Sequence, residues 1–246
     1  VNLGQFIKGF IEKRVKEANY LGYYRVPLVG FAKAESPLFN TLKAVISKDH
    51  YLPVDILPRA KTVIAFFIPF SKGVVTENLK EKFVSKTWAE SYIFTNRLIE
   101  DICKKLCQTL KMEGIEANWV EPTHNFDTER LLSRWSHKHI AYIAGLGSFG
   151  RHQMLITRRG AAGRLGSIVI NREVNSYANP PNLFCLHKMC QNCDYCIRAC
   201  PVSALTNEGL NKKRCYQFLL KVDKYFSDLE LSDVCGKCLT GPCGIL

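Results

Sequence analysis

Cys190-Gln191-Asn192-Cys193-Asp194-Tyr195-Cys196-Ile197-Arg198-Ala199-Cys200-Pro201 decides how the rest of the chain is read. C-x2-C-x2-C-x3-C-P is a spacing that holds [4Fe–4S] clusters, and its fourth cysteine goes to the other cluster of a two-cluster protein. A second set of thiols is therefore expected, and Cys215, Cys235, Cys238 and Cys243 follow. The cross-over gives Cys190, Cys193, Cys196 and Cys243 to one cluster, and Cys200, Cys215, Cys235 and Cys238 to the other. Zinc also favours paired C-x2-C, but a 2-2-3 spacing closed by Pro201 suits it poorly. The second set is less regular, because Gly244 rather than proline follows Cys243.

Composition sets the compartment and the size. The chain has 246 residues, 47% hydrophobic and 23% charged, which is ordinary for a globular protein with a sizeable core. Its 11 cysteines are odd in number and crowd toward one end. A disulfide scaffold would spread an even number over a short secreted chain. The thiols therefore point to metal binding in a reducing cytoplasm. No signal peptide is read at the start, and the longest apolar run, residues 62–70, is too short to span a bilayer. No membrane partner is expected. The formal charge of +12 admits a polyanion such as RNA, but residues 151–246 carry 13 basic and 7 acidic residues, only about half the excess. A diffusely basic surface serves solubility equally well.

Periodicity gives the upstream elements. Leu3, Phe6, Ile7, Phe10, Ile11 and Val15 predict a first helix ended near Gly22. Residues 26–32 predict a strand, Ser36-Pro37 opens a second helix, and residues 62–70 predict a buried strand. Residues 87–112 predict a long helix closed by Gly114, with Cys103 and Cys107 on it as small hydrophobes. A strand is expected over 116–120, a polar loop over 121–127 and a helix over 128–143. His137 and His139 on that helix are two apart and face different ways. They and His152 are read as non-ligands. Strands are expected at 154–157 and 167–174, joined by a glycine-rich link over 160–166. Residues 175–182, rich in Asn, Ser, Pro and Ala, form the boundary. The expected fold class is α+β, with one domain over 1–183 and the cluster module over 184–246.

Gly145-Leu146-Gly147-Ser148-Phe149-Gly150 matches G-x-G-x-x-G, but it is expected after a helix and before a strand, the reverse of a dinucleotide site. Glycines there are read instead as a loop whose backbone approaches a large ligand. Arg151, Arg158, Arg159 and Arg164 gather around the glycines. Arg164, flanked by Gly163 and Gly166, is the best placed of them to meet an anionic or amide-rich rim.

These residues carry a resemblance. Asn19-Tyr20-Leu21-Gly22, Val29-Gly30-Phe31-Ala32, residues 57–64, Ala144-Gly145-Leu146-Gly147 with Gly150, and Leu155-Ile156-Thr157 resemble epoxyqueuosine reductases. So do the Cys190–Pro201 run, Arg214-Cys215-Tyr216 and Cys235-x2-Cys238. The stretch from Trp135 to Gly150, with Gly163-Arg164, is similar to a further branch of that superfamily, which includes the corrinoid reductive dehalogenases. The resemblance implies a nitroreductase-like, cobalamin-binding domain followed by a ferredoxin-like module with two [4Fe–4S] clusters. It implies electrons from a low-potential donor such as ferredoxin or flavodoxin, passing through the clusters to a base-off cobalamin that reduces an organic substrate. Gly145, Gly147, Gly150 and Arg164 would meet the cofactor, although nitroreductase-like folds also hold flavin. Asp127, which opens an Asp-Thr pair, would be the proton donor. Glu121 is its rival, and a helix-capping role is the plainer reading of Asp127. The helical repeats with which epoxyqueuosine reductases grip tRNA have no counterpart before Leu246, so tRNA is a weaker candidate partner and the branch a shortened one. A non-catalytic electron-transfer or corrinoid-reactivating protein is the alternative, and an RNA-binding iron–sulfur module a third.

Overall fold

The computed structural model describes residues 2–123, 125–174, 184–189 and 192–246. The expected boundary at 175–182 lies outside the described residues, as does Cys190. Helix α1 (Leu3–Glu17), whose Asn2 side chain accepts from the Gly4 amide, leads to β1 (Leu28–Lys33), α2 (Pro37–Val45) and α3 (Pro53–Ile56). The central strand β2 (Thr62–Pro69), α4 (Lys72–Lys80) and the long α5 (Lys86–Met112) follow. Then come β3 (Ala117–Trp119), β4 (Phe126–Asp127), β5 (Leu132–Ser133), α6 (His137–Ile143), β6 (Gly147–Phe149), β7 (Leu155–Thr157) and β8 (Gly163–Ile170). Among the described residues beyond, α7 (Tyr195–Arg198) and α8 (Lys212–Tyr225) carry Cys196 and Cys215.

Strands β1, β2, β8 and β3 form an antiparallel sheet in that order. All eight residues of β2 are buried, because both faces of the sheet are covered. Side chains alternate along a strand, so β2 divides its residues between two cores. Ile64, Phe66 and Ile68 pack with Ile7 and Ile11 of α1 and Ile99, Ile102 and Leu106 of α5. Val63 and Ala65 pack with Phe39 and Leu42 of α2, Ile140 of α6 and Trp135. Cys103 is fully buried in the first core, where burial pushes its thiol well up, so it packs as a hydrophobe.

Two expectations change here. Residues 128–143 are not one helix. The Asp127 carboxylate accepts from the amides of Glu129 and Arg130, both at 2.9 Å, and Leu131 turns back with φ +53°, so the chain closes a β4–β5 hairpin. The helix begins only at His137. Likewise, residues 163–166 are not a link: β8 starts at Gly163, where Arg164 lies opposite Ile68, and ends at Ile170. A Cβ on Gly163 would come within 2.3 Å of the Ile68 carbonyl oxygen, and one on Gly166 within 2.4 Å of the Phe66 ring. Their missing side chains let β8 lie close to β2 and α5.

The C-terminal segment docks on this frame. The amides of Ala161 and Ala162 donate to the carbonyls of Cys243 and Gly244 at 2.9 and 3.1 Å. Asn78 of α4 donates to the Cys235 carbonyl at 3.0 Å. Buried Lys237 donates through Nζ to the carbonyls of Glu81, at 2.6 Å, and Asn78. Val222 of α8 and Phe226 just after it enter the first core.

Candidate metal and cofactor site

The described thiols fall into two groups. Cys193, Cys196 and Cys243 line a small cavity, with Arg151, His152 and Tyr195 around it. Cys185 joins them there, buried. Cys200, Cys215, Cys235 and Cys238 all line a second cavity of about 340 Å³, between the C-terminal segment and the sheet domain. Burial, then neighbouring thiols, pushes Cys243 up to about 12, and burial likewise raises Cys235 to about 12. Cys238 is raised well above the usual thiol range by burial and by Cys235, Cys215, Cys196 and Cys200. Metal ligation requires thiolates, so loading these sites would expel protons. Among the described residues, no three His, Cys, Asp or Glu side chains converge closely enough for a single metal ion.

The donor set suits clusters in two further respects. The Ala204 amide donates to Cys200 Sγ at 3.2 Å, a hydrogen bond that favours sulfur in its thiolate form. Trp88, capped into place where Ser85 Oγ accepts its amide at 3.2 Å, lines the larger cavity. Its indole N–H is buried and has no partner among the described residues. An orphaned buried donor costs about 1–3 kcal/mol, and a cluster sulfide beside it would supply the missing acceptor. Gly236, with φ +69°, makes room for this ring, since a Cβ there would stand 1.9 Å from it.

The wall opposite the thiols is polar and aromatic. The Arg164 guanidinium lies 4.4 Å from the Tyr92 ring centroid and donates through Nε to Asn96 Oδ1 at 3.0 Å. The Tyr92 hydroxyl donates to Asp233 Oδ1 at 2.7 Å and lies 3.2 Å from Thr123 Oγ1. Burial lowers Arg164 from its usual range, with Tyr92 and Asp233 opposing that shift. Phe126 and Tyr216, edge to face at 5.8 Å, continue the wall. Behind it, His137 Nε2 donates to the Glu121 carbonyl at 3.0 Å, and its Nδ1 accepts from Ser167 Oγ at 2.9 Å. Burial holds His137 down at about 4, so it is a neutral tether for the backbone at Glu121.

The expected site residues are dispersed. Arg164 reaches the cavity wall. Gly145 closes α6 with φ +72°, its amide donating to the Tyr142 carbonyl. Gly147 sits in β6 against the Ile156 carbonyl oxygen, and Gly150 against Ile156 and His152, so neither space is left for a ligand. Asp127 is exposed, and the Arg130 and Glu129 amides hold its carboxyl below the usual carboxylate range. Tyr92, Trp88, Asp233, Cys185 and Lys237 were not singled out by sequence. Cys185 stands five residues before Cys190, and Lys237 between two expected ligands, so both had a positional signal. Tyr92 and Trp88 fall only within the range of the expected long helix, and Asp233 gave no signal.

No protein-family model matches the chain. It is 26% identical over 188 residues to the epoxyqueuosine reductase of Bacillus subtilis, covering 72% of this chain and 44% of that protein. In sequence the chain is similar to epoxyqueuosine reductases. It spans less than half the length of the curated relatives it matches. A solved epoxyqueuosine reductase from Bacillus subtilis, described with its catalytic aspartate loop swung out of the active site, superposes with a TM-score of 0.56. The likeness covers 96% of this chain and 66% of that one at 19% identity. A reductive dehalogenase whose structure suggests a mechanism for B12-dependent dehalogenation superposes at 0.60, covering 91% and 30% at 16% identity. These superpositions show a shared mixed α and β fold. Among the described residues no helix is long and apolar enough to cross a membrane.

Proposed function

We propose that this chain is a cytoplasmic reductase with a nitroreductase-like domain (1–183) holding a base-off cobalamin and a ferredoxin-like module (184–246) holding two [4Fe–4S] clusters. The observation that carries the reading is the sorting of the thiols. Cys200, Cys215, Cys235 and Cys238 share one cavity and Cys193, Cys196 and Cys243 the other, which is the cross-over expected of a two-cluster motif. Cys190 would complete the second of these groups. Because the larger cavity is bounded by Arg164, Tyr92, Thr123, Phe126 and Tyr216, the corrinoid would lie beside that wall, next to the cluster of Cys200, Cys215, Cys235 and Cys238. Cobalamin, when bound, supplies a strongly reducing cobalt centre.

The chain's own residues would orient, shield and protonate. Arg164 would meet the amide rim of the corrinoid with its guanidinium, and Phe126 and Tyr216 would exclude water. Gly145, Gly147 and Gly150 would act as the rigid frame behind the site, through their packing on α6 and β7. Asp127 follows Phe126 directly, so a rearrangement of the 125–130 turn would bring its carboxyl toward the cavity and out of its depressed state, as proton donor. A related loop is described as swung out in one relative. Glu121, whose carbonyl His137 holds, is the rival donor. The substrate class would be an organic electrophile. A modified tRNA is a candidate, since one solved epoxyqueuosine reductase carries an epoxyqueuosine-modified tRNA stem loop. Electrons would come from a low-potential donor such as ferredoxin or flavodoxin.

The exposed, amide-bound Asp127 favours one second reading, a non-catalytic electron-transfer or corrinoid-reactivating protein. Anaerobic reconstitution separates the readings. About eight irons per chain, with an EPR signal of base-off cob(II)alamin lacking nitrogen splitting from the lower base, is the expected result. Turnover of epoxyqueuosine-containing tRNA that is lost in Asp127→Asn would then identify the reductase. Eight irons with cobalamin left base-on would overturn the corrinoid assignment.

A further inference from the structure

His152 makes two contacts that together fix where its proton is. Its Nδ1 accepts from the backbone N–H of Met154 at 3.0 Å. A nitrogen that accepts carries no proton, so the ring is the neutral tautomer with hydrogen on Nε2. That Nε2 lies 3.5 Å from Cys243 Sγ. The ring is 3% exposed, so no water competes for this donor. Gly150 is what seats it: a Cβ there would stand 2.8 Å from His152 Cε1 and 2.7 Å from Ile156 Cδ1. The imidazole also lines both thiol cavities, so it stands between the two groups of cysteines.

We propose that His152 is a tuning and positioning residue, donating an N–H···S hydrogen bond to the Cys243 thiolate and raising the reduction potential of the cluster that Cys243 ligates. The inference rests on the iron–sulfur reading above. A reduced cluster carries one more negative charge than an oxidised one, and much of it resides on sulfur. A donor aimed at a ligand sulfur therefore stabilises the reduced form more than the oxidised form. Backbone anchoring of Cys243 through Ala161 fixes the sulfur's position relative to the imidazole. The result is a chain in which the cluster ligated by Cys243 is easier to reduce than its thiolates alone would make it.

The test is a redox titration of the full reconstituted chain, followed by EPR and visible absorbance. In wild type two cluster waves are expected. His152→Phe should keep the iron content and move one wave to more negative potential while the other stays. His152→Gln, whose amide can donate, should restore part of the shift. A measurement independent of any variant uses protein labelled with ¹⁵N-histidine, in which pulsed EPR of the reduced protein should show a histidine nitrogen coupled to one cluster. Wild-type clusters with no such coupling, or two unmoved waves in an iron-replete His152→Phe protein, would overturn the proposal alone. A wild-type chain that binds no cluster would overturn the iron–sulfur reading itself.

Discussion

The two thiol cavities are built on different principles. The larger one is wedged into the main core: α5 supplies Trp88 and Tyr92, β8 supplies Arg164, and α8 supplies Cys215, Phe218 and Leu219. The smaller one is made largely of short turns, held by Arg151, which reaches His187 at 3.0 Å and the Cys193 carbonyl at 3.4 Å, and by the docked Cys243–Gly244 backbone. A cavity bordered by a sheet and two helices inherits their rigidity and the chemistry of their side chains. One built of turns depends on a few hydrogen bonds. On the proposed function, an organic cofactor and a proton donor for it would belong beside only one of the two. The cavity in contact with the sheet domain is the one beside which another ligand has walls to meet.

The sharpest way to break the larger cavity is Gly236→Val. Its φ of +69° is left-handed, costing a side chain about 1–2 kcal/mol, and the new atoms would enter the buried Trp88 ring, with overpacking of about 1–3 kcal/mol. A loss of about 4 kcal/mol in stability, read by denaturant unfolding, is expected, together with loss of about half the iron on reconstitution. Full iron and unchanged stability would show that the ring is free to move aside.

Acid should loosen the wall before the thiols. Held at about 4 when folded, against about 6.5 unfolded, His137 binds a proton in the unfolded chain first. Stability should therefore be complete above about pH 6.5 and fall as pH drops toward 4, by about 3 kcal/mol from this group. His137→Gln should flatten the stability–pH curve in that window. An equally steep curve in the variant would assign the acid limb to other groups.

The smallest expected effect is the most specific. Trp88→Phe keeps most of the ring that meets Phe70 edge to face at 5.1 Å and removes only the orphaned N–H. Unfolding of the cluster-free protein should change by less than about 1 kcal/mol, because the gain from removing an orphaned donor offsets the packing lost with the smaller ring. The loaded protein should show a more negative potential for the cluster of the larger cavity, the counterpart of the His152 effect on the smaller one. No change in either wave would mean that the indole does not address a cluster.

Most of the framework was legible in advance. The apolar repeats of α1 and α5 and the continuous run of β2 mark elements whose burial pattern is local and strong. The 2-2-3 cysteine spacing is likewise a short-range pattern, and the proposed function reads it as a ligand set. Failures occurred where side chains compete with the backbone. Asp127 drew two amides into a turn, so the apolar spacing of Leu131, Leu132 and Trp135 did not become helix. Gly163 and Gly166 read as part of a glycine-rich link because their reason lies across the sheet, at Ile68 and Phe66.

Read alone, the sequence supplied a pattern: eight cysteines at the spacing of a two-cluster motif, glycines at tight places and a mixed fold. Only the tertiary structure decided which thiols share a cavity, that Arg164 and Tyr92 face one of them, that Gly150 seats an imidazole rather than a ligand, and that His152 carries its proton toward sulfur. The physical reason is range. Cluster spacing, helix periodicity and strand burial are set by neighbours along the chain. A hydrogen bond from residue 152 to residue 243, or a ring at 88 over a glycine at 236, exists only once the core has brought distant segments together.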